Sequence, residues 1–107
     1  MKMYRYNQDY GRMGDLSGVF LADGEDLAWF MGAEVWADDI LGKHSEVKVS
    51  FNLNTVSLID VSEQTVAELH RVLGKNISGT TPYDFDYLIE EWREAHLLES
   101  PDEDEDE

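Results

Sequence analysis

The stretch that constrains the fold most is residues 81–98, TPYDFDYLIEEWREAHLL. Thr81 can cap a helix, Pro82 suits the first helical position, and Asp84 places an acid at the third. Large apolar or aromatic side chains then recur every three or four residues: Phe85, Leu88, Ile89, Trp92 and His96. This spacing predicts an amphipathic helix that ends near Leu98, with His96 as a partly buried aromatic at the end of the apolar stripe.

Upstream of this helix, shorter patterns predict strands. Residues 46–51, EVKVSF, alternate polar and apolar side chains, which is typical of a strand with one buried face. Weaker patterns predict strands at 17–22, 33–41 and 56–59, the second of them broken near its Asp38-Asp39 pair. Residues 1–17 mix aromatics, glycines and polar groups, and we expect an irregular arm or edge segment there.

Two further helices are predicted between and after these strands. Asp23 can cap a short helix that continues to about Met31. Asp60 followed by Glu63 fits a capping box for a second helix that ends at Gly74. Ile77 then falls in a brief extended link to the last helix.

The early strands and late helices favour an α+β domain. We expect a small antiparallel sheet of three to four strands packed by two to three helices. Residues 1–100 would form this single domain, and the acidic residues 101–107 a disordered tail.

The charge balance restricts the partners that the chain can have. Its 107 residues include 24 Asp and Glu against 8 Lys and Arg, giving a net charge of −16. Without the six acids of the tail, residues 1–101 still carry 18 acids against the same 8 bases. A protein with this charge is repelled by phosphate, which argues against direct binding to nucleic acid or to an anionic membrane. A basic protein surface is the expected partner.

Several classes of protein are disfavoured by what the sequence lacks. It contains no cysteine, so disulfides and thiolate metal sites are excluded, and a cytoplasmic location is favoured. There is no apolar run long enough for a signal peptide or a membrane span. No catalytic motif is present, and the adjacent acids Asp38-Asp39 and Glu90-Glu91 are expected to point apart. We therefore expect a protein that is not an enzyme and needs no cofactor.

Three segments resemble a set of small bacteriophage-encoded proteins: 10–20 (YGRMGDLSGVF), 40–47 (ILGKHSEV) and 77–84 (ISGTTPYD). Those proteins show a G-K-H-S-E turn between strands and a G-x-N-P-like helix start, at which this chain has Thr81 in place of Asn. The resemblance implies a phage gene and the host cytoplasm, and it implies no site residues. The acidic tail is also similar in composition to that of phage DNA-mimic anti-restriction proteins.

The acids of the last helix are the first candidate site. They cover the faces away from its apolar stripe: Asp84, Asp86, Glu90, Glu91, Glu94 and Glu99. Over about 22 Å of helix, this nearly matches the charge density of one DNA strand, which offers about seven phosphates in that length. The functional interpretation is an inhibitor whose carboxylates occupy a basic groove in a host or defence protein. The alternative is a solvated face that only keeps the protein soluble.

Two further surfaces could contribute to binding. Asp38, Asp39 and Trp36 are secondary candidates for partner contacts within a second acidic set, whose other members are Asp23, Glu25, Asp26 and Glu34. Five aromatic side chains lie off the predicted apolar faces and could serve an interface, pair two copies as a homodimer, or fill the core. They are Trp29, Trp36, Tyr4, Tyr6 and Tyr83.

A different class of function would use the turn at residues 42–46, GKHSE. Its Lys43, His44 and Glu46 could hold a small anionic ligand such as a nucleotide signal, although an ordinary hairpin connection has similar composition. A structural role in the phage particle is a third possibility. A metal site is not expected, because His44, His70 and His96 are far apart in sequence.

Overall fold

The computed structural model describes residues 1–38 and 46–99, with side chains described as far as His96. The predicted tail and most of the 42–46 turn therefore lie outside the described residues. The strands are β1 (Lys2–Asp9), β2 (Asp15–Ala22), β3 (Glu34–Asp38), β4 (Glu46–Ser50), β5 (Val56–Ile59) and β6 (Asn76–Gly79). The helices are α1 (Gly24–Phe30), α2 (Glu63–Leu73) and α3 (Asp86–Glu99), with single 3-10 turns at Gly11–Met13 and Pro82–Phe85.

The predicted α+β class is confirmed. Four antiparallel strands form one sheet in the order β5-β1-β2-β6, and β3 pairs with β4 in a separate two-stranded sheet. No helix within the described ranges is long and apolar enough to cross a membrane.

The prediction of an irregular arm at residues 1–17 was wrong. Residues 2–9 form β1, which lies in the middle of the large sheet between β5 and β2. Its side chains alternate as a strand requires, with Tyr4, Tyr6 and Gln8 directed to the core. Ile77, expected in an extended link, belongs to the sheet as part of β6.

Two glycines allow β2 and β6 to approach closely. Gly18 is the cross-strand partner of Gly79, whose φ of +70° is in the left-handed region. A Cβ atom at Gly18 would collide with the backbone of Thr80, and one at Gly79 with the backbone of Ser17. This contact positions the turn that leads into Thr81 and α3.

Side chains from β1 and the residue after it attach the small sheet to the large one. Gln8 accepts a hydrogen bond from the Ser50 amide at 2.9 Å and donates one to the Lys48 carbonyl at 3.1 Å. Tyr10 donates to the same Lys48 carbonyl at 2.7 Å. The outer edge of β4 is thus hydrogen-bonded by side chains instead of by another strand.

An aromatic cluster fills the space between the two sheets and α3. The Phe20 ring contacts those of Tyr4, Phe30 and Tyr83 at centroid distances of 5.4–6.0 Å. Phe51 continues the cluster to Tyr6, Phe30 and Phe85. Ile89 of α3 is fully buried beside them, together with valines of the small sheet.

The helix caps follow the sequence with one exception. Asp23 and Asp26 form a capping box at α1, and Thr81 and Asp84 form one before α3, where the chain first makes a 3-10 turn. The cap predicted at Asp60 was wrong: Ser62 caps α2 by accepting a hydrogen bond from the Thr65 amide. Gly74 ends α2 with a φ of +80°, as predicted.

Candidate functional site

The outer side of α3 carries a continuous acidic surface. Asp86, Glu90 and Glu94 follow one another at intervals of four residues, and Glu91 lies beside them. All four side chains are exposed, while Ile89 holds the opposite side of the helix in the core. Together with Tyr87, these four residues are called the acidic face below.

The acidic face has no internal counter-charge among the residues that the structure describes. The salt bridges there join Lys48 to Glu34, Arg71 to Glu68 and Lys75 to Asp26, and none reaches α3. Arg93 is on α3 itself but turns to the carbonyl oxygens of Ala28 and Trp29, at 3.2 and 3.4 Å. Arg93 thus balances the C-terminal end of α1 and leaves the carboxylates of α3 directed to solvent.

Tyr87 lies within this acidic face and is 72% exposed, which is unusual for a large aromatic residue. The carboxylate of Glu91, one turn further on, raises the pKa of Tyr87 by accepting a hydrogen bond from its phenol and by its charge, and Glu94 adds to the effect. The sequence prediction missed Tyr87. Its position outside the apolar stripe of α3 was the signal that could have identified it.

Asp84, the first of the predicted contacts, has a structural role. One of its oxygens accepts a hydrogen bond from the Thr81 amide at 3.0 Å, and the other accepts one from the Asn76 side chain at 3.1 Å. Both oxygens are therefore engaged in the cap that precedes α3. Of the six acids predicted for this site, Asp86, Glu90, Glu91 and Glu94 remain as candidates for binding, and the Glu99 side chain lies outside the described part of the chain.

The fold separates the second predicted acidic set into a part at α1 and a part on the small sheet. One of the three acids in its α1 part is paired, because the Lys75 ammonium bonds both oxygens of Asp26 at 2.9 and 3.2 Å. Burial alone would raise the pKa of Asp26, but hydrogen bonds from the Asp23 backbone and from Lys75 lower it overall. We therefore assign Asp23 and Asp26 to the stability of α1.

The remaining secondary candidates lie on the small sheet. Trp36 is 57% exposed, on the face opposite to Val35 and Ala37, which pack in the core. The Lys48 ammonium lies 6.0 Å from the Trp36 ring centroid and 3.5 Å from Glu34, so the charges of this face are partly balanced. Asp38 is exposed at the end of β3, opposite Glu46 on β4. Asp39 lies outside the described residues.

Most of the other aromatic side chains that lie off the predicted apolar faces fill the core. Tyr6 is fully buried, and Tyr4 and Trp29 pack against the core cluster. Tyr83 stacks on Trp29 and donates a hydrogen bond of 2.6 Å to the Leu21 carbonyl; burial, and then Asp26 and Asp23, raise its pKa. Trp36 is the exception.

The alternative site cannot be assembled from the described residues, since Lys43 and His44 lie outside them and only Glu46 is placed, exposed at the start of β4. In the described ranges, no three His, Asp or Glu side chains are arranged to hold a metal ion.

The prediction that His96 is partly buried was wrong, because this side chain is exposed. Its Nδ1 lies 2.9 Å from the Trp92 carbonyl oxygen, and its ring centroid lies 4.3 Å from that of Trp92.

Fold and surface together define a small α+β protein whose helix α3 carries an acidic face with no ion-pair partner among the residues that the structure describes. Comparisons with family models, curated proteins and solved structures find no match to this chain. The functional argument therefore rests on the chemistry of the surface itself.

Proposed function

We propose that this protein acts stoichiometrically as an inhibitor, binding through its acidic face to a basic surface of a nucleic-acid- or nucleotide-handling protein. The observation that carries the proposal is the set of four exposed carboxylates of α3, with no ion-pair partner in the described residues, around the exposed ring of Tyr87. Charges that a fold needs for itself are usually balanced by nearby cations, as Asp26 is by Lys75.

The spacing of the acidic face suits a partner that normally holds phosphates. Successive turns of α3 present Asp86, Glu90 and Glu94 about 5.4–6 Å apart, and Glu91 adds a parallel charge. Arginine and lysine side chains that reach phosphates on a nucleic-acid backbone can reach carboxylates spaced in this way. Tyr87 gives the same cations an aromatic ring to stack on, which adds specificity to the charge.

The charge of the whole chain supports rapid association. At a net charge of −16, the protein is attracted to a basic groove from a distance, and this attraction weakens as salt screens it. The segments at 10–20, 40–47 and 77–84 favour a phage setting, in which the target would be a bacterial host or defence protein.

A capture experiment tests this proposal. The wild-type protein is immobilised beside the variant Glu90→Gln/Glu91→Gln/Glu94→Gln, and bacterial lysate is passed over both. A matched control carries Asp15→Asn/Glu25→Gln/Glu34→Gln, which removes the same charge from three exposed sites outside α3. We expect the wild type and the control to retain the same basic proteins, and the α3 variant to lose them.

Two further results complete the test. Captured proteins should dissociate as salt rises from about 50 mM to about 500 mM, and they should lose nucleic-acid binding when the wild-type protein is added. Equal capture by the α3 variant and the control would show that net charge alone, without the acidic face, determines binding.

A further inference from the structure

The edge of the large sheet at β5 differs from the protected edge of β4. Within residues 1–38 and 46–99, β5 pairs with β1 on one side and with no strand on the other. An unpaired edge strand presents backbone donors and acceptors that another chain can use.

The register identifies the backbone groups that point outward. The Asn7 amide donates to the Thr55 carbonyl at 2.8 Å, so the alternation of an antiparallel pair directs the groups of Ser57 and Ile59 toward β1. The groups of Val56 and Leu58 therefore point away from the sheet. The Val56 amide donates a hydrogen bond to the Asn52 carbonyl at 2.8 Å. The Val56 carbonyl and the backbone amide and carbonyl of Leu58 remain available to a new strand.

A groove of about 500 Å³, lined by both apolar and charged residues, lies next to this edge. Its walls come from β1, β5 and α2, and include Met3, Ile59, Val66 and Ala67. Leu58 also borders the groove, and its side chain, on the same face of the sheet as Tyr4, is 56% exposed. An extended chain added along β5 could place alternate apolar side chains in this groove.

Charge indicates which kind of chain fits. Asp60 directly follows β5 and Glu63 begins α2; both are exposed, line the groove, and take part in no salt bridge within the described residues. Met1, Lys2 and His70 also line the groove, so its own charges are mixed. The net charge of −16 on the whole chain nevertheless favours a cationic partner.

We propose that β5 binds an extended peptide segment of a partner protein, with alternating apolar and basic residues, as a fifth strand of the large sheet. Backbone hydrogen bonds to Leu58 fix the segment, and its apolar side chains enter the groove. Its basic side chains, on the other face of the added strand, are attracted by Asp60, Glu63 and the net negative charge of the chain. A second copy of this chain fits less well, because each copy would bring a net charge of −16 to the contact. This site is separate from the acidic face.

The test uses a synthetic hexapeptide of alternating valine and lysine as its probe. Binding is measured by calorimetry and by amide chemical shifts of the full chain. Two further peptides carry N-methyl groups on one or the other alternate set of amides, which removes strand pairing on one side only. We expect one methylated peptide to bind and the other to lose at least about tenfold in affinity, because only one set of amides can face β5.

Two substitutions at one position separate backbone from side chain. Leu58→Pro removes the outward amide without breaking a bond to β1, a place where an edge strand tolerates proline. It should weaken peptide binding at least about tenfold, whereas Leu58→Ala, which keeps the amide, should weaken it about threefold. If Leu58→Pro fails to fold, the methylated peptides decide the question by themselves.

Two further variants test how much charge contributes to peptide binding and where on the protein the peptide binds. Asp60→Asn/Glu63→Gln should weaken binding and flatten its salt dependence, while Glu90→Gln/Glu91→Gln/Glu94→Gln should leave it unchanged. The proposal is overturned if both methylated peptides bind like the parent, or if the α3 variant loses binding while Leu58→Pro retains it. Concentration-dependent dimerisation that Leu58→Pro abolishes would identify a second copy as the occupant and also overturn it.

Discussion

Helices α2 and α3 are both amphipathic, yet they differ in how they are anchored and in how their charges are balanced. In their described parts each helix has one buried residue, but Ile89 of α3 belongs to the main core cluster while Val66 of α2 lies outside it, and α2 leaves Val72 and Leu73 more than half exposed. On α2, Arg71 pairs with Glu68 at 2.6 Å on the same helix. On α3, Arg93 turns to α1 and leaves the acidic face without a partner in the described residues.

This difference separates structural charge from charge that is available for binding. A firmly anchored helix can hold like charges close together, since core packing outweighs their mutual repulsion of a few tenths of a kcal/mol per pair. Helix α2, whose buried Val66 lies outside the main core cluster, has less reserve, and one of its two acids, Glu68, is balanced within one turn. The comparison therefore supports α3, and not α2, as the surface kept for a partner.

The largest expected effect tests the difference in anchoring. Ile89→Ala should lower the free energy of unfolding by about 3 kcal/mol, because it leaves a cavity at a fully buried position. Val66→Ala on α2 should cost about 1.5 kcal/mol, because Val66 lies outside the main core cluster and fewer buried carbons are removed. Urea denaturation followed by circular dichroism measures both. Equal losses would mean that the two helices are anchored alike.

The helix caps should differ in the same direction. The Thr81 hydroxyl is fully buried and donates a hydrogen bond of 2.8 Å to Asn76, while Ser62 is exposed. We expect Thr81→Ala to cost about 2 kcal/mol and Ser62→Ala about 0.5 kcal/mol. The same denaturation experiment gives both values, and a larger loss for Ser62→Ala would contradict the comparison.

Neutralising acidic side chains should change the free energy of unfolding in opposite directions on the two helices. Glu90→Gln/Glu91→Gln/Glu94→Gln should raise the free energy of unfolding by about 0.5 kcal/mol, because it removes like-charge neighbours. Glu68→Gln should lower it by about 0.3 kcal/mol through loss of the exposed pair with Arg71. Thermal unfolding at low salt resolves the signs. Destabilisation by the α3 substitutions would indicate that these acids serve the fold.

The smallest expected effect is a change in the pKa of Tyr87, which reports the electrostatic field of the acidic face. Glu91→Gln should lower the pKa of Tyr87 toward the ordinary value of about 10, because the charged hydrogen-bond acceptor is lost. Ultraviolet titration of tyrosinate, with Tyr87→Phe as the subtraction control, measures this shift. An unchanged titration in Glu91→Gln would mean that Glu91 does not reach the phenol.

Local patterns predicted much of this fold. The alternation at 46–51 and the Thr81-Pro82-Asp84 start each specify structure within one segment, and both elements were found. β1 was missed because its inward positions include polar Gln8, whose burial is compensated by Ser50 and Lys48 about forty residues away. The false cap at Asp60 arose since D-x-x-E and S-x-x-T spacings can both start a helix, and Ser62 is the one that does.

The site was predictable in part for the same reason. Helical periodicity alone placed Glu90, Glu91 and Glu94 on the exposed side of α3. It could not show that Asp84 is engaged by Asn76, or that Arg93 reaches the end of α1, because both contacts depend on tertiary structure. Those two contacts decide which carboxylates remain available.

The most direct test of the central claim is a displacement titration. A basic protein captured by the wild type is loaded with fluorescent duplex DNA, and release is followed by anisotropy as this protein is added. Wild type and the Asp15→Asn/Glu25→Gln/Glu34→Gln control should release the DNA near one equivalent. Glu90→Gln/Glu91→Gln/Glu94→Gln should need at least about tenfold more. Equal release by all three proteins would contradict a specific role for the acidic face.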